Sequence, residues 1–249
     1  MSYEIIIAGH HTKSYKDKEN PKKKCEDFHF IKSNEGENFY TFSVADGAGS
    51  SQYADIGAKV VCEKICELMY ANFNLLFDSD PLIAKRKIIH TLRTYLGIEA
   101  RKKKSTIDEF ASTLLFIAIK ENRIIAGHIG DGLIAYKKKN ILEILSHPEN
   151  GEFANLTYFV TSKYYLHHLR LYKGDLDDIQ AIYLLTDGIA NIFYSRKQKD
   201  IIKSFETISK ELEGKNLQGL DTTIKKILDN NISKRTNDDS TLVAAFIKK

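Results

Sequence analysis

Short apolar runs alternate with polar turns along most of the chain. Runs bounded by Gly, Asn, Asp or Lys are typical of strands, and the short polar connections at 120–122 and 137–140 favour antiparallel neighbours. The pattern therefore predicts strands at residues 3–8, 28–31, 39–45, 112–119, 123–129, 133–136, 141–145, 156–160, 167–172, 181–186 and 241–247.

Helical periodicity is confined to two parts of the chain. Apolar side chains recur every three or four positions over residues 56–77, and again over 197–212 and 217–232. Between them, Asp80 before Pro81 predicts the start of a helix over 81–101, because Asp caps helices and Pro is favoured in the first turn.

The order of these elements predicts the fold class. Strands, two helices, many strands, further helices and a final strand do not form the regular βαβ alternation of parallel sheets. We therefore predict an α+β fold built as a four-layer α-β-β-α sandwich, with two antiparallel sheets flanked by helices. Because the last strand must join sheets formed earlier in the chain, residues 1–249 are expected to form a single domain.

Composition excludes several classes of protein. Apolar residues are 43% and charged residues 28% of the 249, as in soluble globular proteins. The 37 basic and 33 acidic residues leave a net charge of +4, too small to indicate nucleic-acid binding. Cys25, Cys62 and Cys66 make no disulfide framework and are expected to be buried thiols. Without a basic leader or an apolar run of about 20 residues, we expect a cytoplasmic protein with no membrane association.

Three apolar runs end in the same dipeptide, Asp-Gly. The Asp stands at the edge of a buried strand, and the Gly lets the chain turn sharply or lets a ligand approach the backbone. One Asp-Gly pair is a common turn dipeptide, but its repetition favours a shared pocket of carboxylates. The sites are Asp46-Gly47, Asp131-Gly132 and Asp187-Gly188, together with the doublet Asp238-Asp239 before the last strand.

A pocket of converging carboxylates needs a cation. Neighbouring carboxylates repel one another and raise each other's pKa. A divalent ion removes this repulsion, and a ligand set made of oxygens without Cys and His at zinc spacing favours Mg²⁺ or Mn²⁺ over Zn²⁺.

The motifs resemble a known family. The segments FSVADGAGS, GHIGDG, IYLLTDGI and NDDSTLVAAF, in this order, resemble the metal-dependent serine/threonine protein phosphatases of the PP2C (PPM) family. KKKCEDFHF resembles the acidic doublet of that family, and residues 145–162 resemble its bacterial branch. The resemblance covers residues 5–247 and implies a central antiparallel β-sandwich. It also implies hydrolysis of phosphoserine or phosphothreonine through attack by a water that bridges two Mn²⁺ or Mg²⁺ ions.

The resemblance also implies individual roles. Asp46, Asp187 and Asp238 would be the catalytic ligands, with Asp46 bridging two ions and the others completing the first. The Gly47 carbonyl would bind the second ion. Its waters would be held by Glu26 and Asp27, and Asp131 would share a third ion with Asp187.

Some positions depart from the family pattern. Ala48 stands where many members have a His proposed as general acid. Lys22 stands where many have an Arg that clamps phosphate, and lysine binds phosphate only as a point charge. Asp239 replaces a commoner Asn and Gly132 a commoner Ser. None of these changes removes a metal ligand that the resemblance implies.

The resemblance implies a phosphorylated protein substrate, a cognate Ser/Thr kinase and a monomer. Two other functions are weighed against the phosphatase. One is a catalytically weak or silent phosphoprotein-binding regulator on the same fold. The other is a nucleic-acid binder that uses the lysine runs, which lack the interleaved aromatic residues that stack on bases. The segment 151–178 is expected to form a variable flap near the site.

Overall fold

The strands pair into two antiparallel sheets. The computed structural model describes residues 3–18, 20, 23–149 and 157–248. Sheet I has the order β1-β12-β9-β6-β7, sheet II has the order β2-β3-β4-β5-β8, and β10 pairs with β11 in a small hairpin. The strands are β1 (Glu4–Thr12), β2 (Phe28–Asn34), β3 (Phe39–Ala45), β4 (Leu114–Lys120), β5 (Arg123–Ile129), β6 (Leu133–Lys138), β7 (Ile141–Ser146), β8 (Arg170–Asp175), β9 (Ile179–Leu185), β10 (Tyr194–Ser195), β11 (Asp200–Ile201) and β12 (Ser240–Lys248).

Most of the helices lie in two stretches of the chain, between β3 and β4 and between β9 and β12. The helix α3 begins as predicted, because the Asp80 side chain accepts hydrogen bonds from the N–H groups of Leu82 and Ile83 and Pro81 occupies the first turn. The helices are α1 (Tyr15–Lys18), α2 (Ala54–Asp78), α3 (Pro81–Lys103), α4 (Tyr165–His168), α5 (Asp187–Phe193), α6 (Ser204–Leu212) and α7 (Leu217–Lys226), with 3₁₀ turns at Glu35–Glu37 and Ile107–Phe110 and a π-helical end at Ile227–Ile232.

The sheets and helices form four layers. Phe42 and Ile117 of sheet II meet Leu184 and Val243 of sheet I in the core between the sheets. The outer face of sheet II packs on α2 and α3, and the outer face of sheet I packs on α5, α6 and α7. The predicted α-β-β-α sandwich is therefore confirmed. No helix within residues 3–18, 23–149 and 157–248 is long and apolar enough to cross a membrane.

Several predicted element boundaries were wrong. No strand forms over residues 157–160, where the Val160 N–H donates to the carbonyl of Ser112 in a loop. Residue 156 lies outside the described residues. The strand predicted at 167–172 begins only at Arg170, since α4 precedes it. The helix predicted at 197–212 begins at Ser204, because Lys199 adopts a left-handed φ of 53° in the turn of the β10–β11 hairpin.

The cysteine prediction holds for two of the three thiols. Cys62 and Cys66 are fully buried on α2, whereas Cys25 is partly exposed. Burial raises the pKa of the Cys66 thiol to about 11, so it remains a neutral core group at physiological pH.

A glycine sets the closest approach between α2 and the segment that leads to β4. A Cβ at Gly57 would lie 2.2 Å from the carbonyl oxygen of Phe110. That is shorter than any ordinary contact, so α2 packs directly against the 3₁₀ turn Ile107–Phe110 only because the side chain is missing. Gly97 on α3 is different, since its nearest neighbour would be a guanidinium nitrogen of Arg101 at 3.9 Å.

We predict that the two glycines respond oppositely to alanine. Gly57→Ala should lower the free energy of unfolding by about 1–3 kcal/mol, because the helix must move away from Phe110. Gly97→Ala should raise it by about 0.5–1 kcal/mol, because alanine restricts the unfolded chain and favours the helix. Urea unfolding of both variants measures the difference. Equal stabilisation by both would contradict this packing.

Candidate metal centre

The strand order brings the predicted acidic positions to one end of the sandwich. β9 lies between β6 and β12 and runs antiparallel to both. The end of β9 therefore lies beside the starts of its neighbours, and Leu185 pairs with both Leu133 and Leu242. Asp187 follows β9, Asp131 precedes β6 and Asp238 precedes β12, so the three meet at the same edge.

Sheet II contributes the remaining acid of the cluster. Asp46 follows β3, and its backbone is tied to Thr113 before β4. Its N–H donates to Thr113 Oγ1 at 2.9 Å, and the Thr113 N–H donates to its carbonyl oxygen at 2.8 Å. Asp46, Asp131 and Asp187 each present an oxygen within 4.8 Å of the others. It is the one cluster of three or more potential metal ligands found in the part of the chain that the structure describes.

Two oxygens of this cluster are buried without a donor. Asp131 Oδ2 accepts from the Thr157 hydroxyl at 2.6 Å, and Asp187 Oδ2 accepts from Asn191 Nδ2 at 3.3 Å. Their Oδ1 atoms have no hydrogen-bond partner among the described groups. A buried carboxylate oxygen without a donor is costly unless it binds a proton or a cation.

Asp27 lies next to Asp46 and is only 2% exposed. Its Oδ2 accepts hydrogen bonds from Thr186 Oγ1 and Thr241 Oγ1, each at 2.7 Å, and its carboxyl also contacts that of Asp46. The Thr241 N–H donates to Thr186 Oγ1 at 2.8 Å. The residue after β9 and a residue of β12 thus both hold Asp27 through the same carboxylate oxygen.

Burial and mutual repulsion make these acids hard to ionise. Burial is the main cause that raises the pKa of Asp27 to about 7 and that of Asp187 to about 8. Burial raises the pKa of Asp46 well above its usual range, and the charges of Asp27, Asp187 and Asp238 raise it further. Partial burial also raises the pKa of Glu26.

The donor set fits a hard divalent cation. A divalent ion would stabilise the ionised carboxylates that burial disfavours, and it would satisfy the two orphaned Oδ1 atoms. Carboxylate oxygens without Cys or His ligands suit Mg²⁺ or Mn²⁺, as the sequence predicts.

Asp239 holds the acidic doublet in place, a role that the sequence did not reveal. Its Oδ2 accepts from the Glu26 N–H at 2.7 Å, and its Oδ1 accepts from the Ser14 N–H at 3.0 Å. The Gly47 N–H donates to the Glu26 carbonyl oxygen at 3.1 Å. Glu26 is thereby linked to both Asp46-Gly47 and the start of β12. No local signal marks this role, because the two N–H groups are 213 and 225 positions away from Asp239.

The glycine after each Asp allows two backbones to pack closely. None of the three adopts a left-handed φ; among the described glycines, Gly130 and Gly214 do. A Cβ at Gly47, Gly132 or Gly188 would lie 2.7 Å from the Ala54 oxygen, 2.6 Å from the Leu185 oxygen or 2.0 Å from the Asp239 oxygen, respectively.

The other predicted positions lie in varied surroundings. Lys22 lies outside the described residues. Ala48 is buried beside the centre, and its N–H donates to the Ala111 carbonyl at 2.9 Å. Asp238 is exposed, and its Oδ1 accepts from the Asp239 N–H. Of the predicted flap, residues 157–178 are described, and Thr157 touches the centre through Asp131.

Comparisons with known proteins find related sequences and structures. The family model for "Protein phosphatase 2C" matches residues 17–229. The chain is 26% identical over 210 residues to "Serine/threonine-protein phosphatase 3" of Escherichia coli strain K12, which covers 82% of each protein.

Solved structures share the fold. A bacterial serine phosphatase aligns over 98% of both chains with a TM-score of 0.70 and 14% identity. The catalytic domain of serine threonine protein phosphatase PstP, in complex with 2 manganese ions, aligns over 99% of this chain and 100% of that one, with a TM-score of 0.64 and 13% identity.

We predict that the metal-free protein loses stability between about pH 7 and about pH 9. A carboxyl with a raised folded pKa contributes stability that is full below its unfolded pKa, near 4, and is lost as pH rises through the folded value. For Asp187 the folded pKa is about 8. His29 and His128 have pKa values lowered by burial, so they are neutral in both states above about pH 7 and do not mask the effect.

The control is Asp187→Asn, which removes the titrating group. In urea unfolding with a chelator, the variant should gain about 1 kcal/mol relative to wild type across this range. A wild-type stability that does not fall, with no divergence from the variant, would contradict the raised pKa of Asp187.

Proposed function

The chain belongs to the protein phosphatase 2C family, and we propose that it is a metal-dependent phosphatase that hydrolyses phosphoserine and phosphothreonine in proteins. One observation carries this proposal: carboxylates from both sheets converge at one end of the sandwich, with Asp46, Asp131 and Asp187 oxygens within 4.8 Å of one another. Such a centre attracts phosphate only when cations reverse its charge.

The proposed ligands of Mn²⁺ or Mg²⁺ are those that the family resemblance implies. Two ions would be held by Asp46, Asp187, Asp238 and the Gly47 carbonyl, and a third by Asp131 with Asp187. Glu26 and Asp27 would act through water. When bound, the ions would supply a nucleophile at neutral pH and offset negative charge on the phosphoryl oxygens.

The protein's own contribution is to hold these groups rigidly. The hydroxyls of Thr186 and Thr241 fix the Asp27 carboxyl, and Thr113 fixes the backbone of Asp46. Asp239 fixes the backbone of Glu26. A centre whose ligands cannot move apart binds its ions and its substrate without reorganisation.

No protein nucleophile is required at this centre. Cys62 and Cys66 are buried under sheet II and hydrogen-bond to core groups rather than to the carboxylates. Ala48, where a histidine would be a general acid, offers no proton. Protonation of the serine or threonine leaving group is therefore assigned to water in this proposal.

We further propose that the substrate phosphoproteins are made by a cognate Ser/Thr kinase, that the phosphatase works as a cytoplasmic monomer, and that residues 1–249 form one domain. The net charge of +4 supports a phosphoprotein partner over nucleic acid. The silent phosphoprotein-binding regulator is less well supported, because a protein that only binds phosphate needs no converging set of carboxylates such as Asp46, Asp131 and Asp187.

The proposal predicts hydrolysis of p-nitrophenyl phosphate that depends on added Mn²⁺. Asp187→Asn should lower kcat/KM by about 100-fold or more, because it removes a ligand oxygen from the centre. The control Asp221→Asn makes the same chemical change on an exposed face of α7 and should keep wild-type activity. A wild type without metal-dependent activity would overturn the phosphatase function.

A further inference from the structure

Positive charge is concentrated on one helix. α3 contains seven basic residues and a single acidic residue, Glu99, whereas the whole chain has a net charge of +4. The rest of the protein therefore has an excess of acidic residues. The positive charge of α3 would attract a negatively charged partner. Its basic residues are Lys85, Arg86, Lys87, Arg93, Arg101, Lys102 and Lys103.

A groove lies along this helix. Arg86, His90 and Arg93 of α3 are spaced by four and three positions, so they share one face of the helix. They line a groove of about 620 Å³ whose other wall includes Tyr165 and Leu166 of α4. Arg86 and His90 are exposed to solvent in this groove.

The positive charges of the groove are not neutralised by the protein. Among residues 3–18, 20, 23–149 and 157–248, neither Arg86 nor Arg93 forms an ion pair with a carboxylate, and Lys102 is the member of α3 that does, with Glu99. The Arg93 guanidinium lies 4.6 Å from the centroid of the Tyr165 ring, and its Nη1 donates to the Val160 carbonyl oxygen at 3.1 Å. Arg93 is thus held in place with its charge unpaired.

A series of contacts connects one wall of the groove to the metal centre. The Val160 N–H donates to the Ser112 carbonyl oxygen at 2.9 Å, and Ser112 forms an antiparallel bridge with Gly47. Arg93, Val160 and Ser112 therefore connect the wall of the groove to the residue that follows Asp46.

We propose that this α3–α4 groove binds an acidic segment of the phosphoprotein substrate, adjacent to the phosphorylated residue. The inference rests on the proposed phosphatase function and adds a preference for substrates with Asp or Glu beside the phosphorylation site. The charges of Arg86 and Arg93 complement such a segment. A nucleic acid fits less well, because Arg93 covers a face of the Tyr165 ring that base stacking would need.

The test compares two phosphothreonine peptides, one with acidic and one with neutral flanking residues. Arg86→Glu should raise KM for the acidic peptide roughly five-fold with kcat unchanged, since it replaces an attraction by a repulsion. KM for the neutral peptide and hydrolysis of p-nitrophenyl phosphate should stay at the wild-type level. The matched control, Lys226→Glu, makes the same charge change on an exposed position of α7 in the opposite helical layer.

A binding measurement separates this inference from the phosphatase function. Fluorescence anisotropy measures the binding of an unphosphorylated acidic peptide to the metal-free protein. The Arg86→Glu variant should bind this peptide more weakly than the Lys226→Glu variant, whether or not the protein hydrolyses p-nitrophenyl phosphate. Equal effects of the two variants, or equal effects on acidic and neutral peptides, would overturn the docking role. Displacement of the peptide by an RNA oligonucleotide of equal charge at the same concentration would also overturn it, in favour of a general polyanion surface.

Discussion

Repulsion among buried carboxyl groups is the constraint on which the centre depends. Asp27, Asp46 and Asp187 form no ion pair with a basic side chain among the described residues, and burial raises the pKa of each. Such an arrangement destabilises the ionised, metal-free protein. A bound divalent ion converts the same repulsion into binding energy, so the cost in stability and the affinity for metal have one origin.

The fold holds these acidic residues in place against their mutual repulsion. Ligand positions come from both sheets, and Asp46, Asp131, Asp187 and Asp238 each lie next to an interior strand of a sheet. Backbones pack closely at Gly47 and Gly188. Asp239 accepts a hydrogen bond from the Glu26 N–H, and the Thr241 hydroxyl donates one to Asp27. These contacts keep the acids close together. The α3–α4 groove adds unpaired positive charge at Arg86 and Arg93, which would attract the acidic segment of the proposed substrate.

Much of this could be predicted from the sequence, because strand ends marked by Asp-Gly carry a local signal. The bounds Phe39–Ala45 and Arg123–Ile129 match the predicted strands, and the acids that follow them lie where the pattern placed them. Contacts between residues far apart in the sequence carry no such signal, so the role of Asp239 could not be predicted. Net charge also concealed the groove, since one total for the chain does not show that the basic excess lies on α3.

Calorimetric titration of the metal-free protein with Mn²⁺ tests the central claim most directly. Run at about pH 7 in two buffers of different ionisation enthalpy, it counts the protons released when the ions bind. Because the pKa of Asp187 is about 8 and that of Asp27 about 7, the account predicts release of roughly one proton or more per protein molecule. Binding with the same heat in both buffers, and hence without proton release, would show that the carboxylates are already ionised and would contradict it.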